Sequence, residues 1–259
     1  MHRSPGSKRL HSDRQEVYVT TGVGIIICGG DEAGRGALVG PLVISIVAIT
    51  KGYEHRLSRI GVRDSKLLSP KRRYELFNSI IKIASEVKTG IISPAEINEA
   101  MQKGISLNEL EAVHFAKLFD EMNSNVKSFY IDSPDVIAER FGVRLKMLSS
   151  KRTRVVGIKS SREELKEKPI KLVAEHKADV RYPVVSAASI IAKVTRDEEI
   201  KKLERKLKIK IGSGYPSDFT TIDAVRKHLN TGKFDGNLRL HWKTMENIKQ
   251  TKITNFFGN

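Results

Sequence analysis

The segment from Val23 to Ile49 constrains this chain more than any other, because two strand-like apolar runs there leave only a short polar loop between them. The first, Gly24-Ile25-Ile26-Ile27-Cys28, is too short for a buried helix and rich in β-branched residues, which predicts a central strand. The second, Leu38 to Ile49, predicts another. The intervening Gly29-Gly30-Asp31-Glu32-Ala33-Gly34-Arg35-Gly36 is too short for a helical crossover, so the two strands are expected to pair antiparallel. Two adjacent acids among glycines admit two readings. One is a hairpin turn, where Asp and Gly are ordinary punctuation; the other is a strand end where carboxylates hold a cation and glycines let the backbone approach a phosphate.

Charge bears on that choice. Lys and Arg number 46 against 30 Asp and Glu, a formal net charge of +16, which calls for a polyanionic partner. Nucleic acid is the commonest, since phosphate neutralisation releases counterions, although an anionic membrane surface answers to charge alone. No apolar run is long enough to span a bilayer. The lone Cys28 excludes a disulfide framework and a thiolate metal site and fits an intracellular, cytoplasmic setting. Met1 to Arg14 is basic but has no apolar stretch, so it is not read as a secretory signal; residues 1–16 are expected to be a disordered extension.

Along the rest of the chain, Ser69-Pro70 caps a helix with apolar positions Tyr74, Phe77, Ile81 and Ala84. Ser93-Pro94-Ala95-Glu96 and Ser106-Leu107-Asn108-Glu109 match the capping box and start two more. Phe129-Tyr130-Ile131-Asp132 reads as a strand ending on a carboxylate, and Leu145 to Leu148 and Ile170 to Ala174 as further short strands. A helix is expected from Pro183 to about Leu207, then helical patterns around Ile222 to Leu229 and His241 to Ile248. The expectation is an α/β fold: a mixed sheet flanked by helices over residues 17–210, a small helical C-terminal unit over 211–249, and a tail over 250–259.

Asp31 and Glu32 end the first strand, Asp132 ends a later one, and Asp179 follows the strand at 170–174. If these elements share a sheet, four carboxylates meet at one edge, and such a cluster stays ionised only with cations. All-oxygen ligands select Mg²⁺ or Mn²⁺ over zinc, and two such ions suit an in-line phosphodiester hydrolysis. His176, near Asp179, is read either as a proton-handling group or as a structural one.

In order along the chain, Asp31-Glu32-Ala33-Gly34-Arg35-Gly36, Asp64-Ser65-Lys66, Tyr130-Ile131-Asp132, Glu175-His176-Lys177-Ala178-Asp179, Tyr182-Pro183-Val184-Val185-Ser186-Ala187-Ala188-Ser189 and Gly212-Ser213-Gly214-Tyr215-Pro216 make the chain resemble ribonuclease HII of the archaeal type. The resemblance implies an RNase H-like fold and an endonuclease that cuts the RNA strand of RNA–DNA hybrids, including single ribonucleotides embedded in duplex DNA, leaving 3′-hydroxyl and 5′-phosphate ends. It implies that Asp31, Glu32, Asp132 and Asp179 bind the catalytic metal, that Gly34, Arg35 and Gly36 contact the 2′-hydroxyl and adjoining phosphate, and that Tyr215 stacks on the next deoxyribose. It also implies a substrate-binding role for Lys66, although Leu67 stands where the family often has a second lysine. A non-catalytic hybrid-binding protein and a structure-specific DNA nuclease are the competing readings. Between Arg144 and Arg181, 12 basic residues against 5 acidic offer a track for the duplex backbone.

The tail, Gln250 with Ile253, Phe256 and Phe257, resembles a peptide that binds a sliding clamp of the proliferating-cell nuclear antigen type. The alternative is that its rings fold back onto the core.

Overall fold

The computed structural model describes residues 10–12, 15–19, 24–62, 68–123, 125–159 and 168–248. Its strands are β1 (Leu10–Ser12), β2 (Gln15–Val19), β3 (Ile26–Ala33), β4 (Leu42–Thr50), β5 (Glu86–Ile92), β6 (Val126–Asp132), β7 (Thr153–Val155) and β8 (Ile170–Glu175). The helices are α1 (Glu54–Ile60), α2 (Pro70–Ile83), α3 (Pro94–Gln102), α4 (Leu107–Asp120), α5 (Ala138–Leu148), α6 (Ala178–Arg181), α7 (Pro183–Leu207) and α8 (Phe219–His228), with a further short helix over 243–248. No helix among the described residues is long and apolar enough to cross a membrane.

The strands form one mixed sheet in the order β1-β2-β5-β4-β3-β6-β8-β7. β2 is antiparallel to both β1 and β5, whereas β6 runs parallel to β3 on one side and to β8 on the other. The Lys51 N–H, just past β4, donates to Ile25 O, just before β3, at 2.7 Å, so the end of β4 lies beside the start of β3 as antiparallel pairing requires. Residues Leu42 to Ile49 of β4 are buried on both faces. That explains why this strand is apolar apart from the buried Ser45, with no polar alternation. At Gly29 the sheet comes close against α7: a Cβ there would lie 2.4 Å from the carbonyl carbon of Val184.

The chain divides into two compact units, each with its own apolar cluster. One draws on residues up to Glu32, on Ile44–Gly90 and on Asn108–Val194; the other on Ala33–Val43, Ile91–Leu107 and the described residues from Thr195 onward. In the second, Leu38, Val39 and Leu203 share a core with Ile211, Val225, Phe234, Leu238 and Met245. The helical unit expected over 211–249 is therefore wider than its sequence boundary, because it is completed by segments far upstream.

Three local expectations are corrected. The described part of the supposed disordered extension, β1 and the start of β2, lies in strands. Leu145 to Leu148 is the last turn of α5, whose buried Ala138, Phe141, Gly142 and Leu145 recur at helical spacing from a start the short window missed. In α2, capped by Ser69 Oγ accepting from Arg72 N, the deepest residues are Leu76 and Ile80, and Tyr74 is exposed. α3 begins as expected, with Ser93 Oγ accepting from Glu96 N at 3.2 Å.

Candidate active site

β3, β6 and β8 are adjacent and parallel, so their carboxyl ends lie at one edge. The register pairs Gly30 with Ile131, which sets Asp31 beside Asp132 one step further on, and pairs Asp132 with Glu175. Neighbours in register on parallel strands project to the same face. Ala178 N–H, at the start of α6, donates to Asp132 Oδ1 at 2.8 Å, bringing the buried Asp179 to that same edge. Lys177 makes the turn between β8 and α6 in a left-handed conformation, φ 57°, which an L-residue adopts at a cost.

The Asp31 carboxyl is strongly perturbed. Burial first, and then the negative charge of Glu32, push its carboxyl well above the ordinary carboxylate range; Asp132 adds to the effect. Its Oδ1 accepts from Glu32 N at 2.8 Å, and a hydrogen bond from the buried Ser189 hydroxyl opposes the shift. Ser189 Oγ in turn accepts from Lys193 Nζ at 2.8 Å. Glu175, a further acid on this edge, is engaged by Arg181 Nη1 at 2.7 Å and by the Tyr182 hydroxyl at 3.1 Å. Those contacts pair it within the protein. His176 Nε2 meets Val136 O at 3.2 Å, a contact that suits the structural reading of this histidine.

The donor set fits a hard divalent cation: all four groups are carboxylates, and Asp31 shows the mutual repulsion that a cation relieves. No three His, Cys, Asp or Glu side chains among the described residues already form a ligand cage. The edge gathers the acids without closing them into a preformed coordination shell.

The second unit holds the other expected residues. Gly34 takes φ 93°, and Ala37 N–H donates back to Gly34 O at 3.1 Å, so Gly34-Arg35-Gly36 forms a tight turn. Leu38 and Val39 both donate to Gly214 O, at 2.8 and 3.1 Å, fastening this turn directly to the loop that carries Tyr215. Arg239, fully buried, spans from Arg35 O (2.7 Å) to Gly40 O (3.3 Å). Asp218 braces the Tyr215 loop by accepting from Ser213 N at 2.6 Å and Thr220 N at 2.9 Å. Lys66 lies outside the described residues, as do Gln250, Ile253, Phe256 and Phe257.

Sequence reasoning assigned no role to Ser189, Lys193, Arg196 or Arg239. A serine within a run of small helical residues carries no separate signal, and arginines in a basic chain do not advertise which of them are buried.

A mixed sheet flanked by helices, with acids at the carboxyl ends of adjacent strands, is an RNase H-like fold. The family model described as ribonuclease HII matches residues 28–245. Ribonuclease HII of Methanosarcina mazei is 41% identical over 228 residues, 87% of this chain and 98% of its own. Among solved structures, ribonuclease H2 from Pyrococcus horikoshii superposes with a TM-score of 0.73 at 37% identity, over 88% of this chain and 98% of that one. The PCNA:RNase HII complex from Archaeoglobus fulgidus gives a TM-score of 0.71 at 36% identity, over 85% and 96%. The chain belongs to the ribonuclease HII family. It is a type 2 ribonuclease H, an endonuclease.

Proposed function

We propose that this endonuclease hydrolyses the RNA strand of RNA–DNA hybrids, including a single ribonucleotide embedded in duplex DNA, and leaves 3′-hydroxyl and 5′-phosphate ends. The observation that carries the reading is the placing of Asp31 and Asp132 one step beyond the paired Gly30 and Ile131 on adjacent parallel strands, with the Asp31 carboxyl pushed up by burial first and by its acidic neighbours Glu32 and Asp132. Asp31, Glu32, Asp132 and Asp179 would hold Mg²⁺ or Mn²⁺, which supplies charge neutralisation at the phosphate and an activated water. The Ser189 hydroxyl and the Glu32 N–H orient the Asp31 carboxylate, and Ala178 N–H orients that of Asp132.

Gly34, Arg35 and Gly36 are assigned to the ribose 2′-hydroxyl and its phosphate, because backbone amides in a tight glycine turn approach a sugar without steric cost and that hydroxyl separates RNA from DNA. Arg35 suits a phosphate and Tyr215 a sugar face. Lys66 is assigned to substrate binding on the family motif alone. The deciding assay incubates labelled duplex DNA carrying one ribonucleotide with the protein and Mn²⁺. Cleavage at that nucleotide is expected. Intact substrate at high enzyme concentration returns the hybrid-binding reading, and cutting of an all-DNA junction in its place returns the DNA-nuclease reading.

The tail is assigned to a sliding clamp, with Ile253, Phe256 and Phe257 filling an apolar pocket and Gln250 at its rim. The complex formed by the Archaeoglobus fulgidus relative supports a clamp partner for this chain.

A further inference from the structure

Arg196 is 2% exposed, yet among the described residues it forms no ion pair, and its Nε has no hydrogen-bond partner. Burial holds its guanidinium below the usual arginine range. Taking a cation out of water with only Tyr215 and the charge of the adjacent Asp197 to offset the cost is expensive, and a site that only needed filling would take an apolar side chain.

What surrounds it is specific. The guanidinium carbon lies 4.5 Å from the centre of the Tyr215 ring, within range for a cation on an aromatic face. Nη2 reaches Val39 O at 3.4 Å, in the segment that follows the Gly34 turn. A Cβ on Gly34 would fall 2.4 Å from Arg196 Nε, and one on Gly214 2.7 Å from its Nη2. Both glycines have positive φ, 93° and 79°, so each is demanded twice, by backbone conformation and by the arginine lying against it. A planar group fits between two backbone turns and beneath a ring where a lysine ammonium on its flexible stem would not.

We propose that Arg196 is a positioning residue for ribonucleotide recognition, setting the plane of the Tyr215 ring and the turn at Gly34 together so that they meet the sugar as one preformed surface. This rests on the reading of Gly34, Arg35, Gly36 and Tyr215 given above. The ring's seat on the cation leaves its rotation restricted before substrate arrives, and a preformed contact is one whose ordering cost has already been met in folding.

The test compares wild type, R196M, R196K, Y215A and R196M/Y215A on two substrates, duplex DNA with one ribonucleotide and a continuous RNA–DNA hybrid, with thermal melting alongside. If Arg196 acts through Tyr215, R196M lowers kcat/KM on the single-ribonucleotide duplex by about tenfold relative to the continuous hybrid, and the double variant is no worse than Y215A. R196K should fall between R196M and wild type, and it carries the same comparison if R196M does not fold. Losses that multiply in the double variant, or an equal fall on both substrates that tracks a lowered melting temperature, overturn the proposal. Failure of wild type to cut, or Y215A with unchanged preference, instead removes the underlying reading and the proposal with it.

Discussion

Ala178 N–H donates to Asp132 Oδ1 at 2.8 Å, linking the residue before one site acid to another site acid 46 positions upstream. Two of the four acids are thus held by backbone N–H groups, since Asp31 Oδ1 likewise accepts from Glu32 N. Backbone donors do not swing away as a lysine can, so these carboxylates keep their aim while their charges repel. On the proposed reading, the acids would give up stability in the metal-free protein for readiness to take up a cation.

Asp31→Asn should lower cleavage by on the order of a hundredfold or more, since a ligand is lost. The same change should raise the melting temperature in metal-free buffer. The folded pKa of Asp31 lies above its ordinary value of 3.8, so ionisation opposes folding: the penalty is absent below 3.8 and grows as pH rises from there through the raised folded value. Melting curves of both proteins should therefore coincide at acid pH and separate toward neutrality. A variant that melts lower than wild type in EDTA at pH 7 would contradict this.

Gly29→Ala places its methyl 2.4 Å from the Val184 carbonyl carbon and oxygen and 2.5 Å from Val185 N. Backbone cannot rotate aside as a side chain can. A loss of about 3 kcal/mol or more is expected from such overpacking, read by urea unfolding. Wild-type stability would show that α7 shifts away from β3 without cost.

Asp218 is held below its ordinary carboxylate value, first by accepting from Ser213 N. A depressed folded pKa gives stability that is present above 3.8 and lost as pH falls through the lower, folded value. Asp218→Asn should abolish that part of the acid sensitivity. Because the group is largely solvated the effect on melting is small, and the sharper readout is preference for the single-ribonucleotide duplex, which should weaken as the Tyr215 loop loosens.

Phe256→Ala with Phe257→Ala should leave cleavage of a short free duplex unchanged and remove any stimulation by a sliding clamp, as truncation after Lys249 would. Tethering raises local enzyme concentration without altering the site, and the two rings supply most of the apolar area for docking. A titration against purified clamp decides it: equal affinity of wild type and double variant sinks the peptide reading, and loss of short-duplex activity makes the rings core residues.

The acid-bearing edge was legible because it depends on short-range signals. A β-branched run marked β3 and a short aromatic and aliphatic run marked β6, each with its acid at or near the carboxyl end; that the two strands are neighbours comes from the sheet. α5 was misread where Leu145 to Leu148 was seen without Phe141 and Ala138 behind it. What no local pattern contains is pairing across the chain. Arg239 reaches Arg35 O from 204 positions away, and Asn98 is joined to Leu238 and Leu240 across 140 and 142. For the same reason the second unit, assembled from three stretches, read as a simple C-terminal appendage. Arg196 was invisible as well, because nothing in Val194-Thr195-Arg196-Asp197 tells a buried arginine from a solvated one.

Cys28 stands in β3 opposite Phe129, three residues before Asp31, and burial followed by the nearby Glu86 charge pushes its thiol far above the usual range. Thiols react with alkylating reagents as thiolates, so in the native protein this sulfur is silent. Modification has to wait for β3 to leave the sheet. The lone cysteine is thereby a clock for detachment of the strand that carries Asp31, and if the neighbouring acids hold Mn²⁺ as proposed, the ion should slow its ticking by stabilising the native state.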